Sequence, residues 1–250
     1  MVSFIVVSHG HEQDVEILFR SISRYVNFDF EIILLDNLNS GVYFSELINI
    51  YRKFDVKLIS NTISRSFSVN NNICFSLAKY DRVIFLNPDI ELIDGSINEL
   101  VNGWSDIVHD GLFYPKLINS DGSPQIHSKQ KPKLWDQFLT MLFSVCGKSR
   151  ESKYGDYWFF AAALVTNKNF FRRLGGFDEK FPMYAEDVEI CDRARVNGYP
   201  VQLLPLITLK HKLGGDSKGK YLTKAVISNI YLRLKMLYNR LNGRRLNSIK

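Results

Sequence analysis

Cysteine is scarce and scattered: Cys74, Cys146 and Cys191 are the only three in 250 residues. No two form a Cys-x-x-Cys pair, so neither a zinc ligand set nor a disulfide framework is indicated, and a reducing compartment is the simple expectation. No apolar run reaches the ~20 residues needed to span a bilayer. The opening stretch Met1-Val2-Ser3-Phe4-Ile5-Val6-Val7-Ser8 lacks a basic leader and a small-residue cleavage site, and reads as a strand rather than a signal peptide. Acid is nearly absent from the C-terminal end. From Lys210 to Lys250 Asp216 stands alone against Lys210, Lys212, Lys218, Lys220, Lys224, Arg233, Lys235, Arg240, Arg244, Arg245 and Lys250. The formal net charge of +6 therefore belongs largely to that end, and an excess of this kind suits phosphate, nucleic acid or an anionic membrane surface.

The remaining composition is that of a globular chain, 46% hydrophobic and 23% charged, enough for a sizeable core. Aromatics reach 13%, but phenylalanine dominates them, and a ring without a polar handle is core material first.

The first part of the chain alternates short apolar runs with helical periodicity. Strands are expected at Phe4 to Val7, Glu31 to Leu35, Val56 to Ile59 and Val83 to Leu86. Helical spacing links Val15, Leu18, Phe19 and Ile22, then Phe44, Leu47, Ile48 and Tyr51, then Val69, Ile73, Leu77 and Ala78. Continuous apolar strands separated by helices predict an α/β fold with a doubly wound, mostly parallel sheet whose ligands meet the C-terminal strand ends. Beyond about residue 105 shorter strands and turns appear, among them the Ser120-Asp121-Gly122-Ser123 turn, a strand over Tyr157 to Val165 and a helix over Glu186 to Val196. The expected division is one domain over 1–218, with a nucleotide-binding half at 1–104 and an acceptor-binding half at 105–218, followed by a basic helical extension at 219–250.

Three acidic sites stand at places where chemistry is done. Asp36 closes an apolar strand, where it can accept hydrogen bonds from a ribose or base, or cap a turn. Asp89 ends Leu86-Asn87-Pro88-Asp89; a carboxylate there suits a divalent metal on a diphosphate, or an ordinary Asn-Pro-Asp turn. Glu186-Asp187 opens a helix, where acids also stabilise the helix dipole.

In combination these segments resemble the inverting family 2 glycosyltransferases of the GT-A fold, in their bacterial rhamnosyltransferase-like branch. The resemblance covers roughly residues 2–215. It rests on Val7-Ser8-His9-Gly10, Leu35-Asp36-Asn37, Asn70-Asn71-Asn72, Phe85-Leu86-Asn87-Pro88-Asp89, and Gly175-Gly176-Phe177-Asp178 followed by Met183-Tyr184-Ala185-Glu186-Asp187. It implies Asp187 as catalytic base with Glu186 beside it. It implies donor contacts at Ser8, Asp36, Asn37, Asn71, Asn72, Asn87 and Asp89, and acceptor contacts at Trp158, Ala161 and Tyr184. Asp89 and His211 would hold a divalent metal, Mg2+ or Mn2+, with Asn87 replacing the first acid of the Asp-x-Asp motif. Ala161-Ala162-Ala163 stands where the family often has a Gly-containing stretch. The implied donor is dTDP-L-rhamnose and the implied acceptor a lipid-linked saccharide of O-antigen-like polysaccharide synthesis. Rivals are a UDP-linked donor and an inactive scaffold of the same fold. A nucleotidyltransferase would need a basic, glycine-rich loop after the first strand, and Ser8-His9-Gly10-His11-Glu12 has no Lys or Arg.

Two segments lean toward a membrane. Leu222, Val226, Ile227, Ile230, Leu234, Leu237 and Leu241 form one helical stripe edged by basic residues, the pattern of an interfacial helix or of a helix packed on its own domain. Residues 134–145 are apolar around most of a helix. The expectation is a cytoplasmic protein, peripheral on the inner face of an anionic membrane, with no nucleic-acid partner.

Overall fold

The computed structural model describes residues 1–125, 128–130, 157–182, 184–212 and 222–246. Cys146, Met183, the apolar segment 134–145 and residues 213–221 lie outside the described residues.

The first half follows its periodicities. Strands β1 (Val2–Ser8), β2 (Phe30–Asp36), β3 (Asp55–Ser60) and β4 (Arg82–Leu86) alternate with helices α1 (Glu12–Tyr25), α2 (Gly41–Ile50) and α3 (Phe67–Leu77). The strands are apolar at consecutive positions because both faces are covered. Phe4, Val6, Ile32, Leu34, Ile84 and Leu86 enter one core cluster. Ile5, Ile33, Leu35, Val83 and Phe85, each one residue out of phase, enter the other.

After β4 come β5 (Ile90–Leu92), α4 (Ser96–Asn102), α5 (Trp104–Ile107), β6 (Leu112–Ile118), β7 (Ser128–Gln130), β8 (Tyr157–Phe159), β9 (Ala163–Asn167), α6 (Lys168–Leu174), α7 (Glu186–Val196), β10 (Val201–His211) and α8 (Leu222–Leu246). One eight-stranded sheet runs in the order β3-β2-β1-β4-β9-β6-β10-β5, while β7 and β8 form a separate pair. β1 to β4 are mutually parallel, as are β6 and β10, and β9 and β5 run against them. The chain winds outward from β1 to β3 and then returns to β1's other side with β4. That reversal leaves a crevice beyond the ends of β1 and β4.

One local expectation changes. The expected single strand over Tyr157 to Val165 is two strands in different sheets. Between them the chain turns at Phe160 to Ala162, where the Ala162 carbonyl accepts a 2.7 Å hydrogen bond from the Asn87 amide. Small alanine side chains permit that approach of two backbones. Strand β10 shifts register between Leu204 and Thr208, around Pro205, which has no amide to donate to a ladder.

Helix α8 packs on α7, and three residues of the aliphatic stripe face away from that contact. Ser228, Tyr231, Leu232 and Lys235 face the domain; Ser228 and Leu232 are buried, and Leu232 joins Phe181 and Val188 in a small cluster. Ile227, Ile230 and Leu234 of the stripe are 57–63% exposed, and Tyr238 extends that exposed face. The side chains of Leu222, Leu237 and Leu241 lie outside the described residues. Among the described residues no helix is long and apolar enough to cross a membrane.

Candidate functional site

Most of the singled-out residues gather at the edge of the sheet formed by the C-terminal ends of β1, β2 and β4. Ser8 and Asp36 are register partners at the tips of β1 and β2. Ala163, which opens β9, pairs with Leu86, which closes β4, so Asn87 to Asp89 and Ala161 to Ala163 share that edge. His211 ends β10 opposite Ile90. Helix α7 descends from Glu186 toward Val201, the start of β10, which pairs with the start of β6 at Leu112. Its N-terminal acids are therefore at the upper edge with the others.

At the β2 tip, Asp36 is fully buried. Its Oδ1 accepts from the Leu38 amide at 3.1 Å, and its Oδ2 has no partner among the described residues. A buried, half-satisfied carboxylate carries a penalty that a donor group from a ligand would relieve. Ser8 is buried and accepts from the His11 amide through Oγ at 3.2 Å. Asn37 is committed internally. Its Nδ2 donates to Ser64 Oγ (3.2 Å) and the Arg65 carbonyl (3.0 Å) and lies 2.8 Å from His9 Nδ1. Its Oδ1 accepts from Asn61 Nδ2 (2.8 Å) and the Arg65 amide (2.9 Å). Burial, then the nearby His11 and Lys224, hold the His9 ring below its ordinary value. Asn61 also donates to Asn70 Oδ1 at 2.9 Å, so a chain of carboxamides fixes the loop entering α3. Asn71 bonds back to the Phe67 carbonyl in its own helix (3.0 Å).

Asn72 reaches across to the Gly175-Gly176-Phe177-Asp178 loop. It donates to the Phe177 carbonyl (2.8 Å) and to Glu179 Oε1 (2.9 Å), and accepts from the Phe177 amide (3.0 Å). Gly176 has φ 67°, and a Cβ there would lie 2.7 Å from Asn72 Oδ1, so any side chain here is strained and displaces the clamp. From the other side Arg193 donates to the carbonyls of Leu174 and Gly176. Its guanidinium is held by the fully buried Glu189 at 2.9 and 2.8 Å, a two-pronged pair with fixed orientation.

The acid pair opens α7 after two left-handed residues, Tyr184 (φ 64°) and Ala185 (φ 72°). Such backbone costs on the order of 1–3 kcal/mol per residue and persists where surrounding structure enforces it. Glu186 has a buried Oε2 with no partner among the described residues, and burial pushes its carboxyl from 4.5 up to about 7. Asp187 Oδ1 accepts from the Val188 amide at 2.8 Å. Beneath them Tyr114 stacks on Phe159 at 4.7 Å and its hydroxyl meets Cys191 Sγ at 3.3 Å, which ties β6, β8 and α7 together. Trp158 and Ala185 pack on the cluster of Phe181, Val188 and Leu232, whereas Tyr184 is exposed. Ala161 is buried in the turn before β9.

Asp89 and His211, far apart in sequence, meet at 3.3 Å between Oδ2 and Nε2. His211 is buried; its Nδ1 lies 2.8 Å from Gln125 Oε1, and Gln125 Nε2 donates to Asn119 Oδ1 at 3.0 Å. With Gln125 accepting at Nδ1, Nε2 is left to donate to Asp89 when protonated or to ligate a cation when neutral. Neighbouring ligands of an octahedral divalent cation, each at about 2.1 Å, stand roughly 3 Å apart, close to the observed separation. Among the described residues no group of three His, Cys, Asp or Glu side chains converges as a metal cluster. A cation on this pair would complete its shell from ligand oxygens and water, as magnesium commonly does on phosphates. Nothing in the sequence pattern distinguishes Gln125, which sits in an irregular loop after β6.

A buried carboxylate at one strand tip, a carboxylate–imidazole pair at the neighbouring corner and an acid pair on a helix facing the same edge are the parts a nucleotide-linked transfer needs. The model of the family described as Glycosyl transferase family 2 matches residues 3–166. The chain belongs to glycosyltransferase family 2. The matched stretch of this family 2 chain includes Asp36 and the Asn87–Asp89 corner and ends before α7. Over 202 residues it is 28% identical to a low-salt glycan biosynthesis hexosyltransferase of Haloferax volcanii, covering 78% of this chain and 61% of that one. It is 25% identical to a rhamnosyltransferase of Escherichia coli, covering 100% of this chain and 99% of that one. An N-acetylglucosaminyl-diphospho-decaprenol L-rhamnosyltransferase of Mycobacterium tuberculosis is 28% identical over 145 residues, 52% of this chain and 47% of that protein. Among solved structures, Staphylococcus aureus TarS residues 1–349 in complex with UDP superimposes with a TM-score of 0.67 at 14% identity, covering 96% of this chain and 65% of that one. GalNAc-T7 with UDP, GalNAc and Mn2+ gives a TM-score of 0.62 at 17% identity over 85% of this chain and 44% of that one. These structures share the GT-A fold that the sequence motifs imply.

Proposed function

We propose that this glycosyltransferase is an inverting enzyme that moves L-rhamnose from dTDP-L-rhamnose onto a lipid-linked saccharide, in synthesis of a bacterial cell-surface polysaccharide of O-antigen type. The observation that carries the reading is the meeting of Asp89 with His211 at the edge that also holds the half-satisfied Asp36. Two of the relatives are named rhamnosyltransferases, one of them acting on a diphospho-decaprenol-linked sugar, which supports both the sugar and the kind of acceptor.

Asp36 accepts from the base or ribose of the donor, on a floor shaped by Ser8, Asn37, Asn71 and Asn72. Asn87 and Asp89 face the diphosphate. A divalent cation, Mg2+ or Mn2+, held by Asp89 and His211 would offset the charge that grows on the leaving nucleoside diphosphate. Asp187 takes the proton of the acceptor hydroxyl as its oxygen attacks the anomeric carbon from the side opposite the diphosphate. One displacement with one base inverts the configuration. Trp158, Ala161 and Tyr184 border the acceptor. The exposed face of Ile227, Ile230, Leu234 and Tyr238, with Lys224 and Arg233 on the same helix, supports peripheral attachment to an anionic leaflet.

The test is transfer by the purified protein from a panel of dTDP-, UDP- and GDP-sugars to a polyprenyl-diphosphate-linked saccharide, with Mg2+, Mn2+ or chelator. Transfer from dTDP-rhamnose, giving an inverted anomeric centre, is expected. Asp187→Asn should lose transfer while donor binding by calorimetry persists. No transfer from any nucleotide sugar, or near-normal turnover by folded Asp187→Asn, overturns the assignment.

A further inference from the structure

Asp178 closes the Gly175-Gly176-Phe177-Asp178 segment, yet it lies neither at the strand tips nor on α7. Its Oδ2 accepts from Tyr231 Oη and from Lys235 Nζ, both at 2.9 Å and both on α8, while Oδ1 accepts from the Lys180 amide at 3.1 Å. Burial alone would raise the Asp178 carboxyl; the bonds from Lys235, Lys180 and Tyr231 outweigh it and hold the group below the ordinary carboxylate range. Burial, then the same bond to Asp178, push the Tyr231 hydroxyl up to about 12. Asp178 is thus ionised and is the point where the C-terminal helix is fastened.

What α8 does once fastened follows from its other contacts. Leu232 packs with Phe181 and Val188, and Ala185 and Tyr231 pack against that cluster. Phe181 and Tyr231 meet edge-on at 4.9 Å. Ala185 and Val188 flank Glu186-Asp187 on either side, so the cluster that Leu232 of α8 completes borders the acid pair on both sides. The loop carrying Asp178 is itself fixed, by Asn72 from α3 and by Arg193 from α7. A tether is only as exact as its anchor, and here the anchor is pinned to the donor-side helix and to the base-bearing helix at once.

We propose that Asp178 is a positioning residue for the transfer: through Tyr231 and Lys235 it seats α8 in the cluster with Phe181 and Val188 on which Ala185 packs, and so fixes where the acid pair points. The inference rests on the transferase reading above. It assigns the C-terminal helix a part in turnover independent of any surface it attaches to.

The test measures kcat and donor KM for Asp178→Asn, Lys235→Met, Tyr231→Phe and the Asp178→Asn/Lys235→Met double variant, in detergent solution without vesicles, alongside melting temperature. A displacement of about 1 Å at a reacting group can cost ~100-fold, so a fall in kcat of roughly 10- to 100-fold for Asp178→Asn is expected, with donor KM within about twofold of wild type. The double variant should be no worse than Asp178→Asn, because both remove one contact. If Asp178→Asn does not fold, Lys235→Met and Tyr231→Phe carry the test with the same split. Wild-type kcat in folded Asp178→Asn or in both helix variants, a parallel loss of donor affinity, or additive effects in the double variant overturn the inference. An inactive wild-type protein instead overturns the transferase reading.

Discussion

Replacing Glu186 by glutamine should change how stability depends on pH more than it changes stability itself. In the fold this carboxyl is enclosed at the head of α7, its Oε2 without a partner among the described residues. Burial moves it from 4.5 to about 7. The neutral form is therefore favoured by folding. Between those two values the native state holds a proton that the unfolded chain has released, so stability falls as pH rises through this window and the loss is complete above about 7. At about 1.4 kcal/mol per tenfold the ceiling is roughly 3 kcal/mol. Water entry and local relaxation reduce it, and on the order of 1–3 kcal/mol is the expected range. For a chain of this size that is roughly 3–9 °C in melting temperature. Glutamine keeps the shape but cannot ionise. The assay is melting temperature at half-unit steps from pH 4.5 to 8.5 for wild type and Glu186→Gln. The difference between the two curves should grow in favour of the variant as pH rises, and level off above about pH 7.5. A constant offset, from the buried amide hydrogens of glutamine, is without consequence because only the slope is read. Parallel curves across the window would refute the upward shift, and would mean that water or a ligand group reaches the carboxylate.

Two further outcomes are expected. Asp89→Ala should weaken donor binding and flatten its dependence on Mg2+ or Mn2+; equal donor affinity of the wild type with cation and with chelator would remove the metal from Asp89 and His211. For membrane attachment, the intact protein should co-sediment with anionic but not neutral vesicles. That binding should be lost in high salt, where the attraction is screened, and in an Ile230→Glu/Leu234→Glu variant. No sedimentation with anionic vesicles at low salt would leave α8 as a brace alone.

The sequence is most legible where burial is symmetric. Phe4 to Val7, Ile32 to Leu35 and Val83 to Leu86 are apolar at successive positions because helices cover both faces, and so short an apolar run between helical periods fits little besides a buried parallel strand. Legibility falls where an element depends on a distant partner. The two short strands around Phe160 to Ala162 read as one because the break comes from the Asn87 amide, not from a local breaker residue. Strand β10 is interrupted by Pro205 and polar positions, so it shows no clean period. The aliphatic stripe of α8 leaves open whether that face meets the domain or a surface; among the described residues the fastening is by Ser228, Tyr231, Leu232 and Lys235, through hydrogen bonds and one leucine. Periodicity counts apolar residues and is blind to a face that docks through polar ones. Gln125 leaves no trace, since its role exists only when His211 arrives beside it.

The motif residues divide by what their polar atoms are already doing. The carboxamides of Asn37 and Asn72 have both ends committed to backbone and side chains within the fold. Asp36 Oδ2 and Glu186 Oε2 have no such commitment among the described residues, and Asp89 and His211 face one another with a bond that a cation can replace. A committed carboxamide sets geometry; a carboxylate oxygen left unsatisfied in a buried place holds a cost that only a proton, a cation or a ligand donor removes. The same sequence blocks that make the family recognisable thus contain two kinds of residue. Asn37, Asn72 and Gly176 keep the loops in place, and their substitution should act through stability and position. In the proposed function Asp36, Asp89, Glu186 and Asp187 are the groups assigned to bound chemistry. Asp178 belongs with the first kind by its hydrogen bonds, but what it holds in place is the helix whose cluster borders Glu186 and Asp187.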